Sequence, residues 1–136
     1  MRFIFPQGSY AGSAITGGGG WEAPLRNTFD EIYFSYRIKF KPGFEWVHGG
    51  KIPGLMGGPT WDGWYGPPYE AGFRNFLMWS EEPTIAHYYY YHGQTHEYGA
   101  TSLWNTYIES GEWFTMTLRI VMNTICLLYT SPSPRD

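Results

Sequence analysis

Apolar and polar residues alternate cleanly from Asp30 to Phe40. Ile32, Phe34, Tyr36, Ile38 and Phe40 fall on one side, and Tyr33, Ser35, Arg37 and Lys39 on the other. A period of two is the signature of a strand with one buried face. The same pattern returns from Glu112 to Met122, where Phe114, Met116, Leu118, Ile120 and Met122 oppose Trp113, Thr115, Thr117, Arg119 and Val121. Between these two strands, Gly72–Trp79 and Ile85–His92 read as a hairpin turning through Ser80-Glu81-Glu82-Pro83. Arg2–Pro6 reads as a short strand, and the glycine-rich stretches around Gly8–Ser13 and Gly17–Gly20 as loop. Pro59–Tyr69 is a loop carrying Trp61, Trp64, Tyr65 and Tyr69. With no helical periodicity and no repeat, the pattern predicts an all-β protein, an antiparallel two-sheet sandwich.

Composition supports that class. Of 136 residues, 21% are aromatic and 15% charged, with 18 glycines and 10 prolines, a balance suited to strands joined by long loops. The length allows one domain. A net charge of −3 gives no basic footprint for nucleic acid, so an acidic ligand would need a local cluster of cations. No apolar run has the length of a membrane span, and the apolar part of Met1–Pro6 is too short for a signal peptide. Residues Cys126–Asp136 resemble the in-frame translation of a sequencing-library adapter. They are set apart as an artefactual tail, leaving 1–125 as the domain and no other cysteine.

The chemistry concentrates in two places. In Glu45-Trp46-Val47-His48-Gly49-Gly50-Lys51-Ile52-Pro53-Gly54-Leu55-Met56-Gly57-Gly58, one lysine stands among glycines that permit close approach of backbone or ligand. In His87-Tyr88-Tyr89-Tyr90-Tyr91-His92, alternation puts His87, Tyr89 and Tyr91 on one face and Tyr88, Tyr90 and His92 on the other. Arg74 lies in the strand before it, and Arg37 and Lys39 are further cations on the polar face of theirs. The four histidines show no metal-ligand spacing, and no nucleophile elbow is present. Glu81-Glu82 and Asp30-Glu31 read as solvated charges at strand ends rather than paired glycosidase carboxylates. The glycines before Trp21 precede no Lys-Ser/Thr and do not read as a phosphate loop.

The run Tyr36-Arg37-Ile38-Lys39-Phe40-Lys41-Pro42-Gly43-Phe44, followed by Trp46-Val47, Gly49-Gly50-Lys51 and Pro53-Gly54-Leu55, resembles polysaccharide lyase family 14, which contains alginate and glucuronan lyases. The resemblance implies a β-jelly roll of the concanavalin-like kind, incomplete at its C-terminal end, and a secreted protein. It also implies β-elimination on a polyuronate, with a lysine of the Gly-Gly-Lys-x-Pro-Gly-Leu motif and two tyrosines of a Tyr-x-Tyr strand as the catalytic set. Lys51 matches the first. For the second, Tyr88/Tyr90 and Tyr89/Tyr91 both fit. The continuation Tyr91-His92, Gln94 and Tyr98-Gly99 favours Tyr89 and Tyr91. Arg74 matches the family's arginine without its accompanying serine, so Arg37 and Lys39 stand beside it as candidate carboxylate ligands, with His92 as a substrate contact. Trp61, Trp64 and Tyr65 are candidate stacking platforms, which would also serve a non-catalytic carbohydrate-binding module. The expected partner is an acidic polysaccharide met by a monomer; no metal or cofactor, nucleic acid or membrane is called for.

Overall fold

The computed structural model describes residues 1–9, 17–58 and 72–122. Six strands follow in chain order: β1 (Glu31–Lys39), β2 (Gly50–Gly57), β3 (Phe73–Trp79), β4 (Thr84–Tyr90), β5 (Ala100–Tyr107) and β6 (Trp113–Val121). β1 and β6 form a two-stranded sheet, and β2-β3-β4-β5 form a four-stranded one in that spatial order. All the pairings are antiparallel, and the described residues contain no helix. The protein is an all-β antiparallel sandwich, consistent with a jelly roll.

Alternation explains why β1 and β6 find each other across more than seventy intervening residues. Their register sets Phe34 against Leu118, Tyr36 against Met116 and Ile38 against Phe114, so one face of the pair is continuously apolar. That face packs on Ile52, Leu77, Trp79 and Ile85 of the larger sheet to make a single core, joined by Phe40 and Ile108. Leu77 and Ile85 are fully buried; each contributes about 1.5–3 kcal/mol by leaving water.

Aromatic rings extend the core around Trp79. Phe40 and Phe44 meet Trp79 edge to face at 5.6 and 5.5 Å, Phe5 does so at 5.7 Å, and Trp46 packs on Phe40 and Phe44. Trp46 in the lysine-bearing stretch is therefore a packing residue. The chain then turns into β2 through two successive left-handed residues, His48 (φ 51°) and Gly49 (φ 73°).

β2 contains a bulge. Ile52 pairs with Leu77 and Leu55 with Asn75, leaving Pro53 and Gly54 opposite Phe76 alone. Ile52 and Leu55 are three residues apart, so strict alternation would turn one of them outward; the extra residue returns both to the core side. A side chain at Gly54 would collide with the Asn75 backbone carbonyl, so glycine is required there. Tyr36 Oη donates to Pro53 O at 2.9 Å, tying the bulge to the opposite sheet. Burial raises the Tyr36 pKa above the ordinary phenol range, which keeps that donor protonated.

Two strands lie where none was expected, β2 and β5. Residues 2–6, expected to form a strand, pair with no sheet; there Gly18 N–H donates to Ile4 O at 2.7 Å and Phe3 stacks on Trp21. The Trp61, Trp64 and Tyr65 platform lies outside the described residues, as does the 126–136 segment.

Candidate functional site

The register of the larger sheet decides which side chains share a surface. Asn75, Leu77 and Trp79 pair with Tyr89, His87 and Ile85, and this set faces the core. Arg74, Phe76 and Met78 pair with Tyr90, Tyr88 and Ala86 and face outward. Lys51 pairs with Met78, and Met56 with Arg74, which adds Lys51 to the outward set. The structure thus brings Lys51 and Arg74 together with Tyr88 and Tyr90.

Tyr89 goes to the opposite side of the sheet, and Tyr91, just beyond β4, follows it, their rings 6.0 Å apart. The expected grouping of Lys51 with Tyr89 and Tyr91 is not what the fold makes. The physical reason is Ile85. Its burial fixes the parity of β4, and residues two and four further on must share its face.

Lys51 is exposed, with Nζ 5.0 Å from the centroid of the Tyr88 ring and 5.9 Å from that of Phe76. The aromatic faces hold the ammonium over the sheet. Tyr88 Oη and Tyr90 Oη are hydrogen-bonded at 3.0 Å, and Gly99 N–H donates to Tyr88 Oη at 3.0 Å. Burial, reinforced by the bond to Tyr88, pushes the Tyr90 pKa up to about 12, so Tyr90 holds its proton at neutral pH. Arg74, the cross-strand neighbour of Tyr90, has its pKa lowered by burial, an effect opposed by Glu22 and Tyr90; a guanidinium stays charged regardless.

Gly99 is delivered by the loop between β4 and β5, and Gln94 organises that loop. Its side chain is buried, and Nε2 donates to both His96 O and Tyr98 O at 2.7 Å. In the sequence Gln94 stands out only through the resemblance of Tyr91-His92, Gln94 and Tyr98-Gly99 to the family. Its isolation among tyrosines and histidines, a single amide in a polar loop, was the available signal. Gln94→Ala should free the loop, and amide exchange at Gly99 should quicken at least tenfold while the exchange of Leu77 stays unchanged.

Three other expected ligands lie elsewhere. Arg37 and Lys39 project from the outer face of the β1/β6 sheet, on the far side of the sandwich, where they cannot share a sugar with Lys51. His92 is exposed in the turn after β4. A depression of about 450 Å3 between the β3–β4 turn and β5 is lined by Ser80, Glu81, Glu82, Thr84, Leu103, Trp104 and Tyr107. Its two carboxylates would repel an anionic polymer, so it does not extend the site for one.

On the core side, the His87 ring lies 6.0 Å from Tyr89 and 5.7 Å from Trp104, and burial lowers its pKa. The unfolded chain therefore binds more protons than the folded one from about pH 6.5 down to the lowered value. Stability should be highest above pH 6.5 and fall as pH drops through that window. Urea midpoints at pH 7.5 and 5.5 measure the loss, and His87→Phe should reduce it.

An antiparallel sandwich presenting two cations and a hydrogen-bonded pair of phenols on the open face of one sheet has the build of a carbohydrate-active β-sandwich protein. The family model for polysaccharide lyase 14 matches residues 1–126, and the chain belongs to that family. No curated protein and no solved structure matches it.

Proposed function

We propose that the protein cleaves a polyuronate, alginate or glucuronan, by β-elimination on the outward face of the β2–β5 sheet. The observation that carries this reading is the placement of Lys51, Arg74, Tyr88 and Tyr90 on one open surface. Elimination requires the uronate carboxylate to be neutralised, the C5 proton removed, and the departing C4 oxygen protonated. Arg74 and Lys51 supply the positive charge that makes C5–H acidic and stabilises the enediolate.

Tyr88, acting in its phenolate form, accepts the C5 proton at Oη. The Gly99 N–H and the Lys51 ammonium stabilise the negative charge on its oxygen during transfer. The C5–H electrons become the C4–C5 double bond as the C4–O bond breaks. Tyr90, protonated at neutral pH, gives its proton to the leaving oxygen. The 3.0 Å bond between the phenols then lets the proton gained by Tyr88 pass to Tyr90 and reset the pair. This assignment replaces Tyr89 and Tyr91 with their neighbours. Such polymers are extracellular, and a secreted role is part of the same reading.

The test is ultraviolet absorbance from the conjugated C4–C5 alkene when the purified protein meets a panel of mannuronate, guluronate and glucuronate polymers. A rise with one of them identifies the substrate. No rise with any, alongside retardation by the same polymers in a native gel, would replace the lyase with a binding module.

A further inference from the structure

Arg37 and Lys39, set apart from Lys51 by the fold, belong to a surface of their own. β1 and β6 together contain three cations, Arg37, Lys39 and Arg119, and one carboxylate, Glu31, all on the outer face. The chain as a whole carries −3, so this face opposes the rest of the molecule in sign. Two exposed rings lie among the charges. The Arg37 guanidinium is 5.2 Å from the centroid of Trp113, and that of Arg119 is 5.8 Å from the centroid of Tyr33. Arg119 Nε also donates to Glu31 at 2.8 Å, which leaves Arg37 and Lys39 as the cations with no carboxylate on the two strands to answer them.

The register arranges these groups in a line. Lys39 pairs with Trp113, Arg37 with Thr115, Ser35 with Thr117, and Tyr33 with Arg119. Arg37 and the Tyr33/Arg119 pair are thus four residues apart, about 13 Å at the rise of a strand. Between them Ser35 and Thr117, joined by a 3.0 Å hydroxyl bond, present only small polar groups. The result is a track with a ring at each end, uncompensated positive charge at the Arg37/Lys39 end and a low hydroxylated middle. An extended polyanion with sugar faces to stack and carboxylates to pair matches it in shape and sign.

We propose that the outer face of the β1/β6 sheet is a second polyuronate-binding surface, separate from the Lys51 face and held to the same polymer. The choice of polymer rests on the proposed function; the surface itself is tested by binding alone. In a Lys51→Ala background, migration through native gels containing sodium alginate should remain retarded. Adding Arg37→Gln with Lys39→Gln should weaken that retardation roughly tenfold, as expected for losing two exposed charge contacts. Arg37→Lys should retain it, because the charge is kept. Raising salt should weaken binding by the Lys51→Ala protein more than by the triple variant.

Retardation unchanged in the triple variant would overturn the proposal, as would equal retardation by a neutral glucan or tighter binding to DNA than to alginate. The two readings fail separately. Loss of retardation in the triple variant, when no alkene forms with unsubstituted protein, removes the lyase and keeps the surface. Alkene formation together with intact retardation in the triple variant does the reverse.

Discussion

Lys51→Ala is expected to slow alkene formation roughly 10²–10⁴-fold, the range typical of removing a group that acts on proton transfer or charge in the transition state. Lys51 carries the ammonium nearest the phenols, and its side chain is exposed, so its loss leaves no hole in the core. Thermal stability of the variant should stay within about 0.5 kcal/mol of the parent. Tyr90→Phe should give a loss of the same order, because the ring survives and only the proton donor disappears. Tyr89→Phe should leave the rate within a few-fold, since that phenol faces the core side of β4. Initial rates of absorbance change on the preferred polymer measure all three. Full activity in Lys51→Ala, or a larger loss in Tyr89→Phe than in Tyr90→Phe, would refute the assignment.

The second large effect concerns the fold. Trp79 is 5% exposed and is touched by Phe5, Phe40 and Phe44. Trp79→Ala removes the ring that joins the 40–46 segment to β3, at a cost of about 3–5 kcal/mol. A domain of this size has only about 5–15 kcal/mol in total. The loss should therefore appear as a collapse of the urea midpoint, with much of the protein unfolded at 37 °C. Trp113→Ala is the comparison. Trp113 is 57% exposed, and its removal should cost less than about 1 kcal/mol.

Legibility in the sequence followed the strength of alternation. β1 and β6 emerged to within a residue at each end because their apolar positions alternate without interruption. The β3–β4 hairpin emerged from its Ser-Glu-Glu-Pro turn. β2 was hidden because Gly50, Pro53, Gly54 and Gly57 depress strand propensity, and its bulge breaks the period of two. β5 was hidden because Leu103 is exposed while its neighbour Trp104 packs against the core, an order that hydrophobicity alone does not disclose. At the site, Lys51 and Arg74 could be found by residue type and resemblance. The tyrosine register could not be settled by four identical side chains, although Ile85, the one bulky aliphatic residue of β4, marked the core face. Arg37 and Lys39 were read on the polar face of β1, where the structure has them, but alternation shows only that a residue points outward and not which outside it reaches.

The bulge at Pro53-Gly54 is a place where β2 can change its count of residues without turning a side chain over. Deleting one residue there would put Ile52 and Leu55 two apart, and regular pairing would still seat both on the core side, opposite Leu77 and Asn75. Lys51 would keep its outward place. What the deletion removes is the bulge and the carbonyl bond from Tyr36 that ties it to the opposite sheet. A single-residue gap in aligned relatives is therefore most easily accommodated at 53–54, where it straightens the strand and leaves both of its faces as they are.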